Sequence, residues 1–236
     1  MLHRGRDDGR LRATTWRGDP AVAQVVTRGP VDERDVLGVI DVLRQRGCTT
    51  ALTAALGPTE QAPFLAVGFV EHERLHLLRR DVAPLERAGV AGDVRLRRSR
   101  RHDLPAVLRV DHLAFPPFWR FDGRAIDDAV EATPTARFRV AVPIDGEPVG
   151  YAITGRAGDR GYLQRLAVHP DRRRAGLATA LVDDGLRWLR RWGAREVLVN
   201  TQETNAAALA LYEALGFDRE PHGLAVLRLG LAAVER

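Results

Sequence analysis

Lysine is absent: all 36 residues counted as Lys or Arg are arginines, so the chain carries no ε-amine. Cysteine is nearly absent. Cys48 stands alone, which excludes an intrachain disulfide and points to a reducing, cytoplasmic setting. Nothing around it would lower its pKa, so it reads as a small buried residue near a strand start and not as a nucleophile. Long apolar runs are missing too. No stretch nears the roughly 20 residues of a membrane helix, and Met1-Leu2-His3-Arg4 does not open a secretory signal, so a soluble protein with no membrane partner is expected. The formal charge of +5 does not mark a nucleic-acid partner, because the arginines are spread through every segment and answered by 31 acids.

What is present is a chain of 236 residues, 45% hydrophobic, long enough to bury a proper core. From residue 94 onward it reads as alternating strands and helices. Val94–Arg98 alternates apolar and charged as a half-buried strand does. Asp103-Leu104-Pro105 has the form of an acidic cap with proline in the first turn, opening a helix to about Phe115. The stiff aromatic turn Phe115-Pro116-Pro117-Phe118-Trp119 follows, then a helix over about 125–132, strands over 138–144 and 148–154, and a strand over 162–168. Leu181, Val182, Leu186, Leu189 and Trp192 recur at helical spacing over 177–192, with Arg187, Arg190 and Arg191 between them. A strand over 196–200, a helix over 205–215 and a strand near 224–229 finish the chain. This order argues for a mixed α+β sheet domain.

The unit with chemistry in it is the strand, arginine-glycine loop and helix around Arg173. Glycine lets backbone approach a ligand, and the free N–H groups of a helix's first turn bind phosphate oxygens. Arg173-Arg174-Ala175-Gly176-Leu177-Ala178 resembles the pyrophosphate loop Gln/Arg-x-x-Gly-x-Gly/Ala of the GNAT superfamily of N-acetyltransferases. Leu166-Ala167-Val168-His169-Pro170 resembles the strand before that loop, and Asn205 through Tyr212-Glu213-Ala214-Leu215-Gly216-Phe217 resembles the family's Asn…Tyr-Glu-x-x-Gly-Phe ending. Three signatures in the right order over roughly 50 residues carry more than any one of them.

The resemblance implies a GNAT-like central mixed sheet flanked by helices, with acetyl-CoA as cofactor and a small-molecule or peptide amine as acceptor. It implies backbone contacts to the thioester and pantetheine arm from Leu166, Ala167 and Val168. The loop with the first turn of the helix (Arg173, Arg174, Ala175, Gly176, Leu177, Ala178 and Thr179) would hold the pyrophosphate, and Asn205 would help position the arm. Tyr212 would protonate the departing thiolate, a transfer that a phenol of pKa about 10 and a thiol of about 8.5 allow. The plainer reading of Tyr212 is a core aromatic beside Leu209 and Leu211. Phe115, Phe118 and Trp119 are expected to line the acceptor side of the cleft, the alternative being a hydrophobic plug. Many relatives carry a glutamate base on the strand before the loop; here Gln164 stands on that strand and cannot take a proton. Glu203, His112, Asp111 and Asp122 qualify as bases by type alone, and the base stays unassigned.

His72-Glu73-Arg74-Leu75-His76 matches the zinc-protease pattern, which needs a helix to bring both histidines to one face. An internal echo argues against that helix. Arg46-Gly47-Cys48 up to Gly68-Phe69 resembles Trp192-Gly193-Ala194 up to Gly216-Phe217, with glycines 21 and 23 residues apart. Counted back from its Gly-Phe stop, the first copy has Phe64 where the second has Tyr212, and Arg28-Gly29-Pro30 where the second has its loop. The expected organisation is therefore a degenerate, structural, partial GNAT-like domain over 1–93 and a catalytic domain over 94–236, with no metal. The expected activity is acetyl transfer to a primary amine by direct attack in a ternary complex; the rivals are a non-catalytic CoA-binding protein and the zinc hydrolase.

Overall fold

The structure, a computed structural model, describes residues 10–82 and 94–231. The domain boundary expected at residue 93 lies outside the described residues. The chain divides into two compact units, one of residues 1–77, 201–205 and 220–236, the other of residues 78–200 and 206–219.

The first unit opens with an antiparallel hairpin, β1 (Leu11–Trp16) and β2 (Asp19–Thr27). Helix α1 (Glu33–Gln45) crosses over to β3 (Thr50–Thr53), which pairs parallel to β2. Then come α2 (Pro58–Ala66) and β4 (Val70–Asp81), whose residues up to Leu77 belong to this unit. Val36, Ile40 and Leu43 recur on one side of α1 and bury against Val25, Phe64 and Phe69.

In the second unit β5 (Val94–Arg98) has the bounds that alternation predicts. After it come α3 (Leu104–Ala114), α4 (Gly123–Glu131), β6 (Thr135–Pro143), β7 (Gly150–Ala157) and β8 (Arg160–Val168). Strands β5 to β8 form an antiparallel meander. Helix α5 (Leu177–Arg191) crosses to β9 (Glu196–Gln202), parallel to β8, and α6 (Ala206–Ala214) and the two-residue β10 (Asp218–Arg219) follow. Buried residues form one core with Leu181, Leu189 and Tyr212 on the α5 and α6 side, and another with Val107, Val110 and Ile126 on the α3 and α4 side. This unit is thus three layers: helices, sheet, helices.

Two expectations are corrected. Asp103 does not cap α3: its carboxylate accepts from the Arg100 N–H (2.7 Å) and from both Nη atoms of Arg97 (2.7 Å each), which ties β5 to the helix start. And the last strand, β11 (Leu224–Gly230), pairs antiparallel with β3 and β4 in the first unit. Its sequence reads as any half-buried strand does, and pairing partners are not written in alternation.

The echo is a structural repeat. In the first unit the Gly47 N–H meets Arg44 O (3.0 Å) and the Cys48 N–H meets Leu43 O (3.0 Å); in the second, Gly193 meets Arg190 O (3.1 Å) and Ala194 meets Leu189 O (3.0 Å). Phe69 returns its N–H to Phe64 O at 3.1 Å as Phe217 does to Tyr212 O at 3.0 Å. The four glycines of these stops have φ of 77° and 98° in the first unit and 78° and 76° in the second, the left-handed conformation that ends a helix. Phe64 and Phe69 meet edge to face at 5.3 Å; Tyr212 and Phe217 lie 5.7 Å apart.

Candidate active site

Strands β8 and β9 pair only over Arg160–Tyr162 with Glu196–Leu198, although both run on. Beyond Tyr162 the edge of β8 parts from β9 and leaves backbone donors and acceptors that need partners. Leu166, Ala167 and Val168 lie on that stretch. Just before them the β7–β8 register slips: Thr154 faces Leu163 and Ile153 faces Arg165, so Gln164 is the extra residue of a bulge. Its amide lies over Gly155, where an added Cβ would come within 2.7 Å of Gln164 Nε2 and 2.3 Å of Thr133 Oγ1. Gln164 Oε1 is buried and has no hydrogen-bond partner among the described residues.

After Val168 the chain makes a short turn, Pro170–Arg172, with the Asp171 N–H donated to His169 Nδ1 (3.3 Å). Arg174 then adopts φ 60° and Gly176 φ 76°. Left-handed residues so close together turn successive N–H groups to one side, a concave anion-binding arrangement. Among the described residues no side-chain hydrogen bond is seen to cap α5 at Gly176, and a Cβ placed there would meet nothing within 4 Å. The first-turn amides, Leu177, Ala178 and Thr179 among them, are thus open, with the positive helix end behind them and Arg173 and Arg174 exposed beside them. Helix α1 in the repeat is the opposite case. Asp32 accepts from the Asp35 N–H (2.9 Å) and Asp35 from the Asp32 N–H (3.1 Å), so its terminus is filled by its own carboxylates. The α5 cradle and the parted strands fit the phosphates and the amide-bearing arm of acetyl-CoA; the α1 terminus does not.

Tyr212 is 5% exposed on α6. Burial pushes its phenol above its ordinary range, and the charge of Arg165 offsets part of that rise. The hydroxyl is accordingly protonated at neutral pH. Asn205 directly precedes α6, donates its N–H to Gln202 O (2.9 Å), and belongs to the first unit.

Two of the four candidate bases are already engaged. Asp122 caps α4, accepting from the Ala125 N–H at 2.7 Å. Asp111 is fully buried and accepts from Arg165 Nε (2.9 Å), Arg165 Nη2 (3.0 Å), the Phe121 N–H (2.7 Å) and the Tyr151 hydroxyl. With all four lone-pair directions used, it is a structural anion. His112 Nε2 lies 2.8 Å from Phe121 O and must donate there; the Glu203 N–H meets Arg74 O in the first unit.

Of the three aromatics singled out, Phe118 and Trp119 pack edge to face at 5.0 Å on the short turn Pro117–Trp119, while Phe115 lies 3.4 Å under the Arg165 guanidinium. Sequence reasoning missed Arg165 and Phe121. The available signal was an arginine in the apolar run Leu163-Gln164-Arg165-Leu166-Ala167-Val168, matched by Asp111 in an apolar helix. The zinc motif fails on secondary structure: His72 and His76 both stand on β4, where four residues span about 13 Å, too far for one ion.

Residues 104–217 match the sequence model of the acetyltransferase (GNAT) family, so the chain carries a domain of that family. It is 48% identical over 59 residues to the mycothiol acetyltransferase of Geodermatophilus obscurus, a stretch covering 25% of this chain and 19% of that one. It is 38% identical over 74 residues to the ribosomal protein bS18-alanine N-acetyltransferase of Escherichia coli K12, covering 31% of this chain and 50% of that one. The matched stretches thus span about a fifth and half of these relatives. In fold, the chain is similar over 95% of its length to a tandem GNAT protein from the clavulanic acid biosynthesis pathway, with TM-score 0.70, 16% identity and 79% of that chain covered. No helix among the described residues is long and apolar enough to cross a membrane.

Proposed function

We propose that the protein is an acetyl-CoA-dependent N-acetyltransferase that moves the acetyl group directly to a primary amine in a ternary complex. The observation that carries this is the uncapped α5 terminus with left-handed Arg174 and Gly176, beside the place where β8 leaves β9. Acetyl-CoA supplies an activated acetyl thioester. The amides of Arg174 to Thr179 bind its phosphates, and the backbone of Leu166 to Val168 orients the arm. Tyr212 holds a proton and gives it up as the carbon–sulfur bond breaks; dry surroundings weaken the phenol as an acid but strengthen the thiolate as a base by the same cause. Phe115, Phe118 and Trp119 wall the acceptor side. The catalytic part lies within the chain from residue 94, residues 1–93 are structural and bind no cofactor, and the single cysteine suits a cytoplasmic protein.

A second reading, cofactor binding without turnover, is favoured by Gln164 where relatives often carry glutamate. Release of CoA from acetyl-CoA against a panel of primary amines separates the two. Calorimetry tests the cradle: Gly176→Glu is expected to weaken acetyl-CoA binding by at least about tenfold, since a side chain at φ 76° is strained and its carboxylate faces the phosphates. Equal affinity for both proteins would sink the loop assignment. A pH–rate profile tests the acid. A phenol whose pKa is raised keeps its proton past its ordinary value of about 10, so no falling limb in kcat below that pH belongs to Tyr212.

A further inference from the structure

Arg165 sits on β8 between the Gln164 bulge and Leu166, with its side chain 8% exposed. Nε, Nη2 and the ring-stacking surface of its guanidinium are all engaged. One edge gives Nε and Nη2 to Asp111, Nη2 also donates to the Trp119 carbonyl at 2.7 Å, and the two faces are covered by the rings of Phe115 at 3.4 Å and Phe121 at 3.7 Å. Asp111 in turn accepts the Phe121 N–H. The start, middle and end of the α3–α4 connection are therefore held by one charge pair rooted in strand and helix. Within the connection the Trp119 N–H meets Pro116 O (2.9 Å), the Arg120 N–H meets Pro117 O (3.3 Å) and Arg120 Nε donates to Phe115 O (3.2 Å).

We propose that Arg165 is a positioning residue for the acceptor: it fixes the Phe115–Phe121 connection against β8 and so sets acceptor affinity, leaving cofactor binding unaffected. This rests on the acyl-transfer reading above, in which that connection walls the acceptor side. The separation of effects follows from geometry. The cofactor contacts proposed for β8 are backbone groups along its edge, whereas the Arg165 side chain leaves the face of the sheet toward α3. A planar fork stacked on two faces is the task of arginine; lysine supplies a point charge with neither fork nor plane.

The test compares wild type, Arg165→Lys, and the double variant Arg165→Met with Asp111→Asn, which leaves no unpaired charge and keeps an acceptor for the Phe121 N–H. With any amine that the panel shows to be acetylated, KM for the amine is expected to rise at least about tenfold in both, while the calorimetric Kd for acetyl-CoA stays within about threefold in both and kcat within about threefold in Arg165→Lys, which keeps the charge that acts on Tyr212. Unchanged amine KM in a folded variant overturns the proposal, and so does a parallel loss of acetyl-CoA affinity. A second measurement needs no amine. Hydrogen exchange of the amides of residues 115–122 is expected to quicken at least about tenfold in the double variant, with α5 and β7 unchanged; equal exchange overturns the clamp. Wild type that binds acetyl-CoA but acetylates no amine, with the clamp intact by exchange, sinks the functional reading and the acceptor role together while leaving the clamp itself established.

Discussion

Tyr212→Phe is expected to lower kcat by about 10² to 10⁴ and to leave acetyl-CoA affinity within about twofold, because the substitution removes the acid and keeps the ring. The ring's packing against Phe217 persists in phenylalanine, so the melting temperature should hold. The first repeat illustrates the substitution: Phe64 fills the same place, fully buried, with the same return hydrogen bond from the Gly-Phe stop. Single-turnover measurement of CoA release checks the prediction. Activity within a few fold of wild type would mean that the leaving sulfur takes its proton from water and that Tyr212 is packing alone.

Asp111→Ala is expected to cost about 3–5 kcal/mol of stability, since it strands a buried guanidinium and leaves the Phe121 N–H and the Tyr151 hydroxyl without their acceptor. At roughly 2–4 °C per kcal/mol for a chain of this size, the melting temperature falls by about 6–20 °C. Replacing both charges, as in Arg165→Met with Asp111→Leu, should cost less than Asp111→Ala, because an apolar pair leaves no ion unpaired. Urea unfolding of the variants decides; a loss below about 1 kcal/mol for Asp111→Ala would show that water reaches the arginine and that the pair is not sealed.

The backbone geometry of the arginine-glycine loop before α5 was legible in sequence because its requirements are local. A glycine with positive φ, an uncapped first turn and flanking arginines all fall within a few residues. The same holds for the two glycine stops, whose recurrence exposed the repeat and removed the zinc helix from His72 and His76. What escaped the sequence depends on residues far apart along the chain. Arg165 looked like one more polar residue on a strand, and Asp111, 54 residues earlier, like a surface acid or base. Only their meeting between Phe115 and Phe121 gives either a role. The aromatic turn was noticed but its division of labour was not: Phe115 is stacked on Arg165, while Phe118 and Trp119 pair with each other.

The surplus residue in β8 governs more than local shape. Were Gln164 counted into the ladder, strict alternation would put Leu163 and Arg165 on one side of the sheet. With Gln164 bulged out, Leu163, Leu166 and Val168 all join the α5 core, while Arg165 and Ala167 turn to α3. Drawing Gln164 into regular pairing would drive a guanidinium into a layer of leucines and swing Leu166 toward a carboxylate, whereas deleting it would leave Arg165 facing α3. Register at this point, ahead of side-chain identity, decides which face of the sheet receives the charge.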